Sequence, residues 1–404
     1  MNKQLFSPRC AAMALGLACA AAQAQLAPFG VTVGETVSHQ SNIFRAPAGS
    51  ETADWLSNTT LRGTFDQAFG RQRAKAFAGV DAGYYKNKTD LNHVGHQVGA
   101  EFDWSTVNNL SGAIGVDSAS RLYQYGIGGA TLYLGKNIET THHGFSRIQL
   151  GGVARWTLLG GVDVVDRSYS ATDFAANEVN QWAADVGVRH QASTDLSFTA
   201  LARKTEGEFP QYGTAGADNF SINTLGLGTN WQISGASNLD LTLGYSVEDH
   251  LLQADRSYWN GALRWTWTPP GKVKLAAGLR RDSSANTAVV PGESTVAAPG
   301  VLSQSLNTSA DLNVTWDATA KISVLSGLQQ AENRYDSLTV NNLPTAGSAT
   351  TRLYSLGLRY KFTRGVDLGC SAAREERTVA SAISTVVTGY NTTTLTCMGQ
   401  VSFQ

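Results

Sequence analysis

Hydrophobic positions recur at every second residue through most of the chain. In residues 351–365, Tyr354, Leu356, Leu358, Tyr360 and Phe362 alternate with Ser355, Gly357, Arg359 and Lys361. Leu239, Leu241, Leu243, Tyr245 and Val247 alternate with Asp240, Thr242, Gly244, Ser246 and Glu248. The same period runs through Val94–Trp104, Tyr258–Trp267 and Leu306–Trp316. A period of two predicts strands with one apolar and one polar face. The segments run about 10–13 residues, against about 5–6 for an ordinary strand, and suffice to cross an outer membrane at a tilt.

The turns decide which solvent meets the apolar face. Short polar links follow Trp104, Trp231, Trp267, Trp316 and Phe362, and each aromatic lies on the apolar face beside its turn. Trp156 reads the same way, in phase with Ile148, Leu150 and Ala154, and Phe403 ends the last strand in phase with Leu395 and Val401. Aromatic rings at one level form the girdle at a membrane interface, where an apolar ring keeps its polar edge wet. A soluble sandwich has no reason to repeat them on one face before every second turn. The apolar faces are expected to meet lipid.

The other ends carry longer links rich in Gly, Ser, Thr, Asn and Ala: 41–54, 122–140, 205–217, 283–303, 335–349 and 379–389. Expected strands are 30–40, 55–66, 72–84, 91–104, 109–121, 143–156, 161–170, 180–190 and 195–204. They continue with 219–233, 237–249, 256–268, 272–282, 304–317, 321–333, 351–363, 366–378 and 390–403. The fold class is therefore all-β: a transmembrane antiparallel up-and-down barrel of about 18 strands, with short periplasmic turns and longer extracellular loops. Sixteen strands is the second choice, because the pattern is weak between residues 109 and 170. A closed barrel leaves no edge, so residues 25–404 read as one domain.

Composition agrees. Charged residues are 16%, Gly numbers 41, hydrophobic content is 42% and net charge is −1. That balance offers no overall basic field for nucleic acid. Lys3 and Arg9, the apolar run Ala11–Ala22 and the Ala22-Gln23-Ala24 site read as a cleaved export leader over residues 1–24. Gly16 stands where a lipoprotein signal ending at Cys19 normally has Leu, which disfavours that alternative.

Candidate chemistry is sparse. Lys75, Asp81, Asp185, Arg189, Asp240, Glu248, Arg264, Lys272, Lys274, Arg280, Arg359 and Lys361 fall on predicted lumen faces. They either set selectivity or merely solvate the lumen and pair across strands. Cys370 and Cys397 fall on outer faces and meet if the hairpin folds about 383/384. In an oxidising compartment they either bond or remain two small lipid-facing residues. His142-His143 lies in an expected loop and has no metal-ligand spacing. "SHQSN", residues 38–42, resembles the H-x-S-N segment of outer-membrane phospholipase A, with His39 beside Ser41, but Ile43 replaces the expected Gly. No cofactor, metal site or catalytic pair is otherwise expected.

Several segments together resemble the exosortase-associated exopolysaccharide-biosynthesis outer-membrane proteins (EpsL type), within a broad β-barrel porin group. They are "SNIFR", "FGRQRAKAFAGVDAGYY", "RKTEGEFPQY", "NWQISGASNLDLTLGYSVEDH", "RSYWNGALRWTWTPPGKVKLAAGLRRD" and "YNTTTLTCMGQVSFQ". Gln40 and Ser41 depart from the acid that usually precedes Asn-Ile, and Gln404 follows the usual terminal aromatic. The resemblance implies a non-enzymatic barrel assisting exopolysaccharide export or surface assembly, with the polymer and its export machinery as partners beside outer-membrane lipid. The rival expectations are a general small-solute porin, a plugged scaffold, and a lipase using Ser41 and His39.

Overall fold

The computed structural model describes residues 28–123, 133–151, 155–212, 216–283, 305–340, 343–384 and 387–403. The expected leader, Cys19, Gln404 and most of the 283–303 link lie outside them. Eighteen strands form, as the pattern predicts. They are β1 (Phe29–Gln40), β2 (Asp54–Phe69), β3 (Gln72–Tyr85), β4 (His93–Ser105), β5 (Leu110–Leu122) and β6 (Ile138–Leu150). Then follow β7 (Trp156–Tyr169), β8 (Val179–Gln191), β9 (Leu196–Phe209), β10 (Asp218–Ser234), β11 (Ser237–His250) and β12 (Arg256–Trp267). The last are β13 (Val273–Ser283), β14 (Ser305–Asp317), β15 (Ile322–Val340), β16 (Leu343–Lys361), β17 (Val366–Val379) and β18 (Tyr390–Phe403).

Each strand pairs antiparallel with the next, and β18 closes on β1 from Val31 opposite Phe403 to Gln40 opposite Thr394. Closure leaves no open edge strand among the described residues, as hydrocarbon demands. The outer faces leave large apolar side chains uncovered, among them Leu225 at 70% and Trp259 at 66% exposure. A water-soluble surface would not carry a continuous belt of this kind; lipid covers it.

Trp104, Trp156, Trp231, Trp267, Trp316, Phe362 and Phe403 stand in the outward phase beside the short-turn end. Gly112 lies opposite Trp104, where a Cβ would come within 2.7 Å of the indole. Trp156 differs from its expected place. It opens β7 rather than ending β6, and its ring lies 4.2 Å from His190. β6 ends at Leu150, and Gly151 just beyond it has a φ of +94° that suits glycine.

Two further expectations change. His142 and His143 sit within β6, not in a loop, facing outward and inward respectively. The link expected at 335–349 is mostly strand, because β15 and β16 continue their hairpin to Val340 and Leu343. Cys370 and Cys397 are directly paired on β17 and β18 and joined by a disulfide, with Cα atoms 4.1 Å apart.

Buried apolar side chains gather inside the extracellular mouth rather than along the axis. Ile43, Phe44 and Leu91 form one cluster; Tyr123, Tyr169 and Phe174 a second; Tyr335, Ile383 and Val387 a third; Val179, Phe220 and Ile222 a fourth. Loops folded inward supply several members of these clusters, and strand ends supply the rest. The mouth is therefore narrowed while the periplasmic half keeps a polar wall.

Candidate functional site

The constriction begins with the link after β1. Asn42 is fully buried and brackets its turn: its amide oxygen accepts the Ala46 N–H at 2.9 Å, and its amide nitrogen donates to the Ala46 carbonyl at 2.8 Å and the Asn391 carbonyl at 3.1 Å. The turn drives Ile43 and Phe44 against Leu91, in the link between β3 and β4. Arg45 then adopts a left-handed φ of 52°, uncommon for a residue with a side chain. Its guanidinium grips Glu375 on β17 through both carboxylate oxygens, at 3.1 and 2.9 Å. Tyr390 donates to the same carboxylate, and its ring lies between Arg45 and Arg377, 5.9 and 5.0 Å from their guanidinium carbons. Burial opposes the Arg45 charge, but the Glu375 contact outweighs it and raises the pKa above the ordinary arginine value.

Two charge networks continue the ring. Asp163 is 2% exposed, and Arg147 at 2.6 Å, Arg203 at 3.0 Å and His143 at 3.4 Å converge on it. His143 reaches Asp117 with its other nitrogen at 2.8 Å, and Arg203 also holds Asp185 at 3.1 Å. On the adjoining strands β10 to β13, Glu248 accepts from Arg256 and Ser283 and meets His250, whose second nitrogen faces Asp218 at 2.9 Å. Buried charges persist because each is paired; an unpaired one would be costly.

From the Asp163 network downward the lumen holds a cavity of about 910 Å³ whose lining includes Asp103, Arg147, Arg189, Asn230, Asp240 and Thr242. The lumen candidates surround it or continue it toward the periplasm. Lys75 bridges Glu101 and Asp103 at 3.0 and 2.7 Å, Lys274 meets Asp317 at 3.1 Å, and Arg359 meets Asp367 at 2.9 Å. Arg280 meets Asp282 at 3.3 Å, Asp81 faces His93 at 3.9 Å, and Asp240 is held by Asn230 and Asn238. Lys272 donates to the Ala318 carbonyl at 3.0 Å. Arg189, Arg264 and Lys361 make no ion pair among the described residues. Both signs therefore line the wall, and Lys274, Arg280 and Arg359 each stand in a pair with a carboxylate.

Arg45, Asn42, Glu375 and Tyr390, absent from the sequence candidates, hold the inward-folded link after β1 in place. The "SNIFR" run was visible, but its partners stand about 330 to 350 positions away.

The His39/Ser41 pair does not assemble a nucleophile. The Ser41 hydroxyl accepts the Thr393 N–H at 2.8 Å, and the His39 ring packs outward against Trp55 with centroids 4.9 Å apart. Among the described residues no hydrogen bond joins the two. Ser41→Ala is expected to leave lipid hydrolysis by pure protein at background; robust hydrolysis abolished by that change would restore the lipase reading.

No family model and no curated protein sequence matches the chain. Solved structures do. OccK9 (OpdG) of Pseudomonas aeruginosa is 12% identical, over 93% of this chain and 98% of that one, with a TM-score of 0.50. OpdK of Pseudomonas aeruginosa, solved with vanillate, is 12% identical over 93% and 99%, with a TM-score of 0.49. OccAB3 of Acinetobacter baumannii is 11% identical over 93% and 99%, with a TM-score of 0.49. These findings overturn the resemblance to exosortase-associated proteins: the loose motifs quoted for it match no family model, and the neighbours by fold are Occ/Opd porins. Each motif was one strand or turn of a generic barrel, which many unrelated barrels share. The exopolysaccharide reading rested on that resemblance and falls with it. The chain is an 18-stranded outer-membrane β-barrel, similar in fold to OccK9.

Proposed function

We propose that this barrel is a non-enzymatic diffusion channel for small polar solutes, with little preference for charge. The observation that carries this reading is the cavity of about 910 Å³ beneath the constriction, walled by polar and charged side chains. A scaffold plugged along its axis would fill that space with packed residues. Weak selectivity follows from the pairing: Lys75 with Glu101 and Asp103, Arg359 with Asp367, and Lys274 with Asp317 cancel most of the field that a solute would feel. In the same reading residues 1–24 are a cleaved export leader and the rest of the chain acts as one unit.

The test is conductance of purified protein in a planar bilayer. Stable current steps are expected, with a small reversal potential in a salt gradient. Small sugars and amino acids should also swell protein-loaded vesicles. Silence in both measurements would sink the channel reading in favour of a closed scaffold, and a reversal potential near the single-ion limit would sink the claim of weak selectivity.

A further inference from the structure

Among the described residues, the outer face carries two charges well inside the lipid belt. Glu35 projects outward from the middle of β1 and is exposed. It lies between two outward aromatic contacts, Phe29 with Phe65 below and His39 with Trp55 above. Ser57 and Thr59 on β2 each donate a hydroxyl to it at 2.5 Å, which orients the carboxylate and leaves it lone pairs to spare. Lys204 projects outward from β9, half exposed, with Glu206 as its neighbour.

Their heights match. Glu35 is six residues above Phe29, and Lys204 six above Phe198, the outward aromatics at the periplasmic ends of their strands. Six residues of a tilted strand rise roughly 15 Å, inside an apolar band about 25 Å tall. The other outward charges of the strands stand higher. Arg281, Glu332, Arg352 and Arg374 are eight residues above Val273, Val324, Tyr360 and Val366. Glu206 is eight above Phe198, and Asp166 and Asp249 are ten above Trp156 and Leu239. Those residues reach the headgroups; Glu35 and Lys204 do not share that level.

The surroundings of the two charges also differ in shape. Val33, Glu35 and Val37 make a ridge, with Gly399 opposite Glu35 on one side. Lys204 stands at the edge of an outer groove of about 460 Å³, floored by Ala184 and Ala202 and walled by Val186, Leu225 and Tyr245.

We propose that the ridge of one copy of this chain seats in the groove of a second copy, with the Lys204 ammonium donating to the free lone pairs of Glu35. Lys204 has three donors, so it holds Glu206 and the incoming carboxylate together. Charged groups in a membrane interior face a partner rather than lipid. β1 and β9 stand eight strands apart in a ring of eighteen, roughly 160° around the barrel, so the contact is head-to-tail and extends into gently curved rows rather than closing as a small ring. This inference is independent of what passes through the lumen.

The test is made in native outer membranes. The Glu35→Cys, Lys204→Cys double variant, treated with a short bis-maleimide, is expected to give a ladder of linked barrels, while each single variant gives none. Separately, Glu35→Lys and Lys204→Glu should each reduce barrel clustering about tenfold by single-molecule counting in lipid bilayers, and the combined charge swap should restore it. Heat-modifiable migration on a gel shows that each variant is folded. Wild-type barrels that stay single, linked dimers from the Glu35→Cys variant alone, or a charge swap that fails to restore clustering would each overturn the proposal.

Discussion

An arginine placed at Leu312 is expected to destabilise the barrel by about 2–4 kcal/mol, the cost of a basic side chain on the lipid face near the midplane. Leu312 faces outward on β14, between Ala277 on β13 and Leu328 on β15, four residues above Trp316 at the periplasmic girdle. An arginine there must either leave its charge in hydrocarbon or bend a long stem toward a distant interface. The same substitution one position on, at Asn313, is expected to be nearly silent. Asn313 faces the lumen, where its amide donates to Asp311 at 2.9 Å, and water as well as that carboxylate can receive a guanidinium. Urea unfolding in lipid vesicles, followed by the heat-modifiable band, measures both. Equal penalties at the two positions would show that the assigned faces are wrong.

The same one-residue alternation explains how much of the fold was legible. Where the outer face is uniformly apolar, as at Leu239–Val247 or Leu306–Trp316, phase and length could be read directly, and eighteen strands follow. β6 defeated the reading because its outward positions include Thr140, His142, Gly144 and Ser146 before Ile148 and Leu150, so polar residues occupy both faces. That placed two histidines in a loop and moved Trp156 onto the wrong strand. The upper parts of β15 and β16 were missed for a related reason. Beyond the membrane neither face must be apolar, so the hairpin continues without any alternation to announce it.

The lumen was legible in part. Inward charges such as Lys75 and Arg359 follow from strand phase alone. The constriction does not, because folding a loop into the mouth is a long-range event. Nothing near Arg45 in sequence indicates that Glu375 and Tyr390 will meet it. Nor does alternation flag Glu35 as unusual until the aromatic contacts above and below it are placed.

The second large effect concerns the loop that narrows the mouth. Glu375→Ala is expected to release the link after β1 and raise the single-channel conductance, with the barrel still folded. The contacts that hold the loop include the Asn42 bracket, the Ile43 N–H on the Thr52 carbonyl, the packing of Ile43 and Phe44 on Leu91, and the Arg45 fork on Glu375. Arg45 also holds a left-handed backbone, which costs a residue with a side chain about 1–3 kcal/mol unless its surroundings impose it. Removing the carboxylate leaves the guanidinium buried without its partner, a loss of about 3–5 kcal/mol for a well-buried pair. That loss, added to the cost of the left-handed backbone, weakens the hold of the loop on the mouth, so the loop is expected to open more often while its apolar packing persists. Arg45→Lys is expected to give an intermediate conductance, since an ammonium keeps the charge but cannot make the two-pronged contact. Glu51→Gln is the neutral control, because among the described residues Glu51 accepts only the Gly49 N–H, at the exposed tip. A folded Glu375→Ala barrel with unchanged conductance would mean that this loop does not set the narrowest passage, and the limit would then fall to the ring of Asp163, Arg147 and Arg203 below it.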